Sequence, residues 1–472
     1  MREQMPEKTT EKATERAPAG SSEGTFEKAP EGKLLRSLLC ALFGVGLFLV
    51  PVPYDGSYTI VLGILTQTVT TSLGENMYLF TLPIFIAGGL VALIYNLIPE
   101  ALVRRLPIHD RLRQAHGFLT LLALNGGVVA LLILLGVGPD WMIGKPTGVT
   151  AFVDVGGQIF LIIGFGCLFL PFLTDYGLLE FVGVILRRPF QRVFRLPGRA
   201  AIDTLASWVG ASSIAVIMTG RQYERGYYTA REAAVIATNF SVVSLPFVYV
   251  TCQVAGIPEY FFPLYGSMLL VCLVLAVVTP LLPPLRGVAD RYYQDQPAPF
   301  SEQAPDEASL LAWAAQRARE VAQNAPTVRR SLSQGVLSLI ELFMTMMPAA
   351  MSIEFYALVI YEHTPILQWL TLPALPVLQM LAIPEAAVVA PGLVIGLLDQ
   401  FVPAVIAGSV EAPLAKFVLA GLSVTQLIFF AESAILIWRS AIPLSVAKLV
   451  AIFAIRTVLA LPMLALLGHW II

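Results

Sequence analysis

Apolar residues run on for the length of a membrane span again and again along the chain. Nine stretches stand out, at residues 34–52, 77–98, 117–137, 156–173, 230–255, 262–282, 336–360, 414–437 and 446–467. They approach or exceed the ~20 residues that carry a helix across a bilayer. A soluble core helix of that length would show a polar face at a 3.6-residue period, and these mostly show none. The pattern predicts nine membrane helices. Two shorter apolar segments, 200–219 and 386–407, read differently because polar residues interrupt them.

Composition agrees with this reading and excludes a large soluble α protein. Hydrophobic residues make up 57% of the 472 and charged residues 13%, with a mean hydropathy of +0.75. Soluble domains carry about twice that charge. Cys40, Cys167, Cys252 and Cys272 all sit in apolar runs without a CxxC pair, so they read as small buried hydrophobes. Four scattered histidines, His109, His116, His363 and His469, offer little for a metal site. Residues 1–32 are rich in Glu, Lys, Thr, Ala and Pro and are expected to form a disordered cytoplasmic tail. The first apolar run ends without a small-x-small cleavage pattern, which predicts a retained anchor.

Basic residues set the expected orientation. Lys33 and Arg36, then Arg104, Arg105, Arg111 and Arg113, then Arg187, Arg188, Arg192, Arg195 and Arg199 mark cytoplasmic stretches. Residues 55–75 and 138–154 are nearly free of basic residues and are expected as outer loops. Arg221, Arg225 and Arg231 follow segment 200–219, which therefore begins and ends on one side. A re-entrant hairpin bending near Gly210 explains this, and it must be wrapped in protein; a tilted interfacial helix is the alternative. Segment 386–407, with Pro391, Gly392, Asp399 and Pro403 inside and no flanking basic residue before Lys416, suits a second hairpin entering from outside.

The hydrophilic stretch 286–333 divides a first membrane half, 33–285, from a second, 334–472, and reads as a cytoplasmic linker with balanced charge. Residues 240–247 faintly echo 422–429, each in the first span after its hairpin. Together with opposite entry sides, the echo predicts an inverted repeat of the kind used by secondary transporters. The expected fold is an all-α polytopic membrane protein with an inverted repeat and two re-entrant hairpins.

Polar groups within these segments are the candidate chemistry, because an ionisable side chain in hydrocarbon must face protein, water or a ligand. Asp203, Ser207, Ser212, Ser213, Asn239 and Ser241 lie in the first half, and Asp399, Gln400, Ser423, Gln426 and Glu432 in the second. Serines can simply bond the carbonyl four residues back, and the acids can pair structurally with Arg221, Arg231, Arg439 or Arg456. Glu232 reads as a helix-terminus residue. Glu354 falls near the outer end of its span and is expected to reach water. No GxxxxGK[ST], HExxH or GxSxG pattern occurs, and no nucleophile–base pair stands out, so neither a nucleotide-driven pump nor an enzyme is expected.

One stretch carries a resemblance. Pro197-Gly198-Arg199-Ala200-Ala201-Ile202-Asp203-Thr204-Leu205-Ala206-Ser207-Trp208-Val209-Gly210, with Gln222-Tyr223-Glu224, Arg231-Glu232-Ala233-Ala234 and Ala237-Thr238-Asn239-Phe240-Ser241, resembles the nucleoside-recognition gate domain of YjiH-type bacterial inner-membrane proteins. Pro53-Tyr54-Asp55-Gly56 and Asp399-Gln400-Phe401-Val402-Pro403 are similar to that group too. The resemblance places the gate domain at about 197–282 and implies a nucleoside-transporter-like gate fold in a multi-pass inner-membrane protein with its N-terminus in the cytoplasm. It implies a secondary transporter of a small polar metabolite (nucleoside-like, amino-acid-like or an organic cation) coupled to Na⁺ or H⁺, with no cofactor, no metal and no nucleic acid as partner. Homo-oligomeric assembly stays open. The alternative is a non-transporting scaffold or signalling module.

Overall fold

The computed structural model describes residues 31–54, 57–97, 117–209, 212–296 and 309–472. The expected tail lies outside them except for its last two residues, as do the basic stretch 104–113 and the bend at Gly210. Among the described residues, five helices are long and apolar enough to span a membrane, and a bent pair makes a sixth.

Helix α1 (Glu31–Phe48) leads into an antiparallel pair, β1 (Pro51–Tyr54) and β2 (Ser57–Ile60), in which Pro51 faces Ile60. Helices α2 (Val61–Leu73), α3 (Tyr78–Leu97) and α4 (Gly117–Leu135) follow. Both expected outer loops are corrected here. Residues 55–75 hold β2 and α2, and 138–154 are helical, passing through a π-helical run (Lys145–Val155) into α5 (Gly156–Phe169). A shortage of basic residues reports a side of the membrane and says little about whether the backbone is coiled.

Helices α3 and α4 are inside out relative to a soluble bundle. Ala123, Gly126, Gly127 and Ala130 of α4 turn inward, while Phe118, Leu121, Val128 and Leu135 are exposed. Small residues let backbones meet: a Cβ on Gly127 would lie 2.8 Å from Cα of Gly89 on α3. Large apolar side chains left outside are what lipid requires.

The middle of the chain comprises α6 (Leu178–Pro189), α7 (Ala200–Val209), α8 (Ser212–Glu224), α9 (Ala230–Asn239), α10 (Leu245–Ala255) and α11 (Phe261–Val278). Helices α7 and α8 pack on each other. Part of the stretch expected as a linker is packed on the membrane helices. Its helix α12 (Leu310–Gln323) lies on α6, with the Arg187 guanidinium 5.1 Å from the Trp313 ring, and the Ala322 carbonyl accepts from Ser37 Oγ of α1 at 3.1 Å.

Next come α13 (Val328–Thr345) and α14 (Met347–His363), which meet at 43°. Pro348 in the first turn of α14 cannot donate back into α13, which explains the bend. Short helical pieces over 366–380 and small helices Ala386–Val389 and Gly392–Ile395 lead to a turn at 396–401 and helix α15 (Val402–Ser409). The chain ends with α16 (Pro413–Thr425), α17 (Ser433–Arg439) and α18 (Val446–Ile471). Three of the nine expected spans are thus corrected, the first, 34–52, because α1 stops at Phe48 and is not among the helices long and apolar enough to cross a membrane. The run 230–255 is broken between α9 and α10, and 414–437 between α16 and α17.

Candidate functional site

The two breaks build the site. Helix α9 starts on a capping box, in which Thr229 Oγ1 accepts from the Glu232 amide at 3.2 Å and Glu232 Oε2 accepts from the Thr229 amide at 2.8 Å. It stops at Asn239, residues 240–244 leave the helix, and Pro246 opens α10. The second break, 426–432, has no proline; Leu427 there adopts a left-handed φ of 61°. Such a conformation on a non-glycine residue costs energy and persists only where the surroundings impose it.

Unwound backbone inside a membrane protein must find partners. At the first break the Val242 carbonyl accepts from Ser207 Oγ at 2.7 Å. At the second, the amides of Phe430 and Ala431 donate to the carbonyls of Leu397 and Leu398, at 2.8 and 2.9 Å, in the turn before α15. Ser433 Oγ donates to the Leu427 carbonyl at 2.7 Å and accepts from the Phe429 amide. Ser423 Oγ donates to the Gln400 carbonyl, and Gln426 Nε2 donates to the Leu393 carbonyl at 3.0 Å and to Thr457 Oγ1 at 2.9 Å.

Arg456 of α18 joins the two breaks. It is 0% exposed, and its Nη2 and Nε donate to the Thr425 carbonyl (2.7 and 3.2 Å) while Nε also reaches the Gln426 carbonyl at 3.0 Å. Its Nη1 donates to Asn239 Oδ1 at 2.7 Å, an oxygen that also accepts from Thr279 Oγ1 at 2.6 Å. The sequence singled out Arg456 only as a partner for acids. Its actual partners are carbonyl oxygens, an amide oxygen and the Cys272 sulfur. The available signal was a lone arginine in the middle of the apolar run 446–467.

A cavity of about 540 Å³ opens beside the breaks. Ser244, Pro246 and Phe247 line it from the first break, Asp399, Gln400 and Phe401 from the turn before α15, and Phe429, Ala431 and Glu432 from the second break. Ser212, at the start of α8, closes the ring, with its Oγ donating to Glu432 Oε1 at 3.1 Å. The rings of Phe247 and Phe401 lie 4.4 Å apart, centroid to centroid. Asp399 Oδ1 accepts from the Phe401 amide at 2.7 Å, so it caps α15. Asp175 and Glu341 add carboxylates to the lining, which among the described residues includes no Lys, Arg or His.

Of the expected site residues, Ser212, Asp399, Gln400 and Glu432 line this cavity. The others sit behind it. Asp203 is buried between α7, α8 and the start of α9, where Oδ2 accepts from Tyr228 Oη at 2.9 Å and Thr219 Oγ1 at 3.4 Å. Ser207, Ser423, Gln426 and Asn239 hold the breaks as described, and Ser241 Oγ donates to the Ala237 carbonyl at 2.8 Å. The side chain of Ser213 lies outside the described residues. Glu354 of α14, expected near water, is instead 0% exposed. Helix α14 packs against α3, α4, α13, α15 and the π-helical run.

Comparison with known proteins places this arrangement. A family model described as "Gate: Nucleoside recognition" matches residues 157–258, which include α7 to α10 and the first break. An uncharacterized protein of Alkalihalophilus pseudofirmus is 34% identical over 435 residues, covering 92% of this chain and 94% of the relative. No solved structure matches the chain. The chain therefore belongs to the family of that Alkalihalophilus pseudofirmus protein, as a multi-pass, mostly helical membrane protein with a nucleoside-recognition Gate segment.

Proposed function

We propose that this protein is a secondary transporter of a small polar metabolite, and that the cavity between the two helix breaks is its solute site. The observation that carries the reading is the origin of the lining: Ser212, Ser244 and Phe247 come from one half of the chain and Asp399, Gln400 and Glu432 from the other. A site shared by two halves can be exposed to one side and then the other by moving one half against the other. A scaffold would tolerate a solid core there, and the cavity favours transport over that reading.

Several further features support the proposal. Helix α10 packs against α15, and α17 against α8, so each half-helix after a break rests on the helix pair of the other half. This reciprocal packing suits an inverted repeat with halves at 33–285 and 334–472, joined by the linker, and re-entrant hairpins at 200–219 and 386–407. Orientation with a cytoplasmic N-terminus in a bacterial inner membrane, and YjiH-type membership, belong to the same proposal. The lining suits a neutral or positively charged solute. Carboxylates and the Gln400 amide can accept from hydroxyls and amines, and Phe247, Phe401 and Phe429 offer apolar faces to a ring. A nucleoside meets both demands, in keeping with the description of the matching family model.

Uptake into proteoliposomes tests the reading. Purified protein should accumulate at least one of uridine, adenosine, choline or putrescine under an imposed H⁺ or Na⁺ gradient. Glu432→Gln and Asp399→Asn should reduce that uptake while inserting normally. Wild-type uptake in both variants would remove the cavity from the mechanism.

A further inference from the structure

We propose that Glu354 is the coupling-proton site of this protein; the proposal rests on the transport reading above. Both carboxyl oxygens of Glu354 are buried and lack a hydrogen-bond partner among the described residues. Residues three and four apart on a helix share a face. Ala350 and Met351, which line the cavity, therefore lie one turn before Glu354 on the same side of α14. The carboxyl is therefore on the cavity's side of α14 without itself lining the cavity.

Its surroundings favour a proton over a metal ion. A metal ion held by carboxylates would need several of them, and no cluster of three or more His, Cys, Asp or Glu residues occurs among the described residues. The nearest hydroxyl on the helix, Ser352 Oγ, is committed to Asn125 Oδ1 at 2.9 Å. A proton needs only one carboxyl oxygen. The elements packed against α14 carry few charged groups. Helices α3, α4 and α15 carry no charged residue; the π-helical run carries Lys145 and Asp154, α13 carries Arg329, Arg330 and Glu341, and the small helix before the π run carries Asp140. Asp399, in the turn before α15, lines the cavity, and α15 packs against α14. On this proposal a proton given up by hydronium in the cavity reaches an Asp399 oxygen, passes to a Glu354 oxygen when the wall between them opens, and returns to water by the reverse steps when the cavity faces the other side. An ionised carboxylate left without donors in this position would be far costlier than the neutral acid. That difference makes loading and unloading depend on the cavity's state.

Two measurements on the full chain test this. Infrared difference spectra of wild type against Glu354→Gln at neutral pH should show a protonated-carboxyl carbonyl band that the variant lacks; its absence overturns the proposal. In proteoliposomes holding the same panel of uridine, adenosine, choline and putrescine, a gradient of one pH unit can drive roughly tenfold accumulation with one proton per solute. Glu354→Gln should lose that accumulation yet keep downhill exchange, and Glu354→Asp should restore part of it. Accumulation equal to wild type in Glu354→Gln overturns the coupling role. A wild-type protein that shows the band but moves no panel solute under any gradient fails the transport reading, and the coupling role falls with it.

Discussion

Removing Arg456 is the sharpest perturbation available, because one side chain serves both helix breaks. Arg456→Ala takes the donors from the Thr425 and Gln426 carbonyls and one of two donors from Asn239 Oδ1. Each buried acceptor left unsatisfied costs roughly 1–3 kcal/mol, so the two carbonyls together lose roughly 2–6 kcal/mol. Relief from burying a charge offsets part of this, and Arg456→Met isolates that part by keeping an apolar stem without donors. Lysine retains the charge but not the planar fork, so Arg456→Lys should fall between wild type and alanine. The assay is thermal unfolding of the purified protein in detergent, where a loss of 2 kcal/mol lowers the midpoint by about 2 °C for a chain of this size. Combining Arg456→Ala with Asn239→Ala should give a coupling energy of roughly 0.5–3 kcal/mol, since the residues share a hydrogen bond. Unchanged midpoints in Arg456→Ala, or strictly additive effects in the double variant, would refute the reasoning that this guanidinium holds the breaks open.

Other substitutions separate support from site. Gly126→Val should destabilise by roughly 1–3 kcal/mol or abolish folding, because a Cβ there would lie 2.1 Å from the Pro348 carbonyl oxygen; Gly46→Ala, where nothing lies within 4 Å, should leave the detergent midpoint unchanged. Thr229→Ala removes the capping box of α9 and should cost about 1 kcal/mol, read as a lower unfolding midpoint with solute affinity unchanged. Asp203→Asn should weaken the tie to Tyr228 and lower stability while surviving protein still transports, in contrast to Asp399→Asn; equal loss of specific transport in the two would move Asp203 into the site.

The membrane character was legible in the sequence because it is a property of averages: runs of Leu, Val, Ile and Phe report lipid whatever their neighbours do. The breaks were not. Residues 414–425 and 433–437 are equally apolar, and nothing in their hydropathy says that 426–432 leave the helix. Pro246 was a local signal for the first break. The second depends on long-range bonds, from Phe430 and Ala431 to the turn before α15 and from Arg456 to Thr425, that no single segment encodes. Asp203 and Asp399 looked equivalent as acids in short polar-rich segments. Asp203 is spent on Tyr228 and Thr219, whereas Asp399 faces the cavity, and only the packing of α7 on α8 separates them. Glu354 was misread by position: counting along a helix places a residue near its end, but the covering elements come from elsewhere in the chain.

The bonding pattern also says which parts would separate if the cavity changes sides. The second break is tied to the turn before α15 by backbone amides and by Gln426 and Ser423, so those pieces form one unit. The first break is tied to α7 by Ser207 in the same way. Between the units, the contacts at the cavity include the Ser212–Glu432 hydrogen bond and the Phe247–Phe401 ring contact. A single hydrogen bond to a charged group contributes about 1.5–3 kcal/mol and an aromatic pair about 0.5–1.5 kcal/mol, energies that a bound solute can match. Arg456 lies behind both units and bonds to each, which suits a pivot: it can keep its hold on Asn239 and Thr425 while the cavity-side contacts open and close. On this reading Ser212→Ala should ease the separation and raise the exchange rate, whereas Arg456 variants should impair folding and transport together.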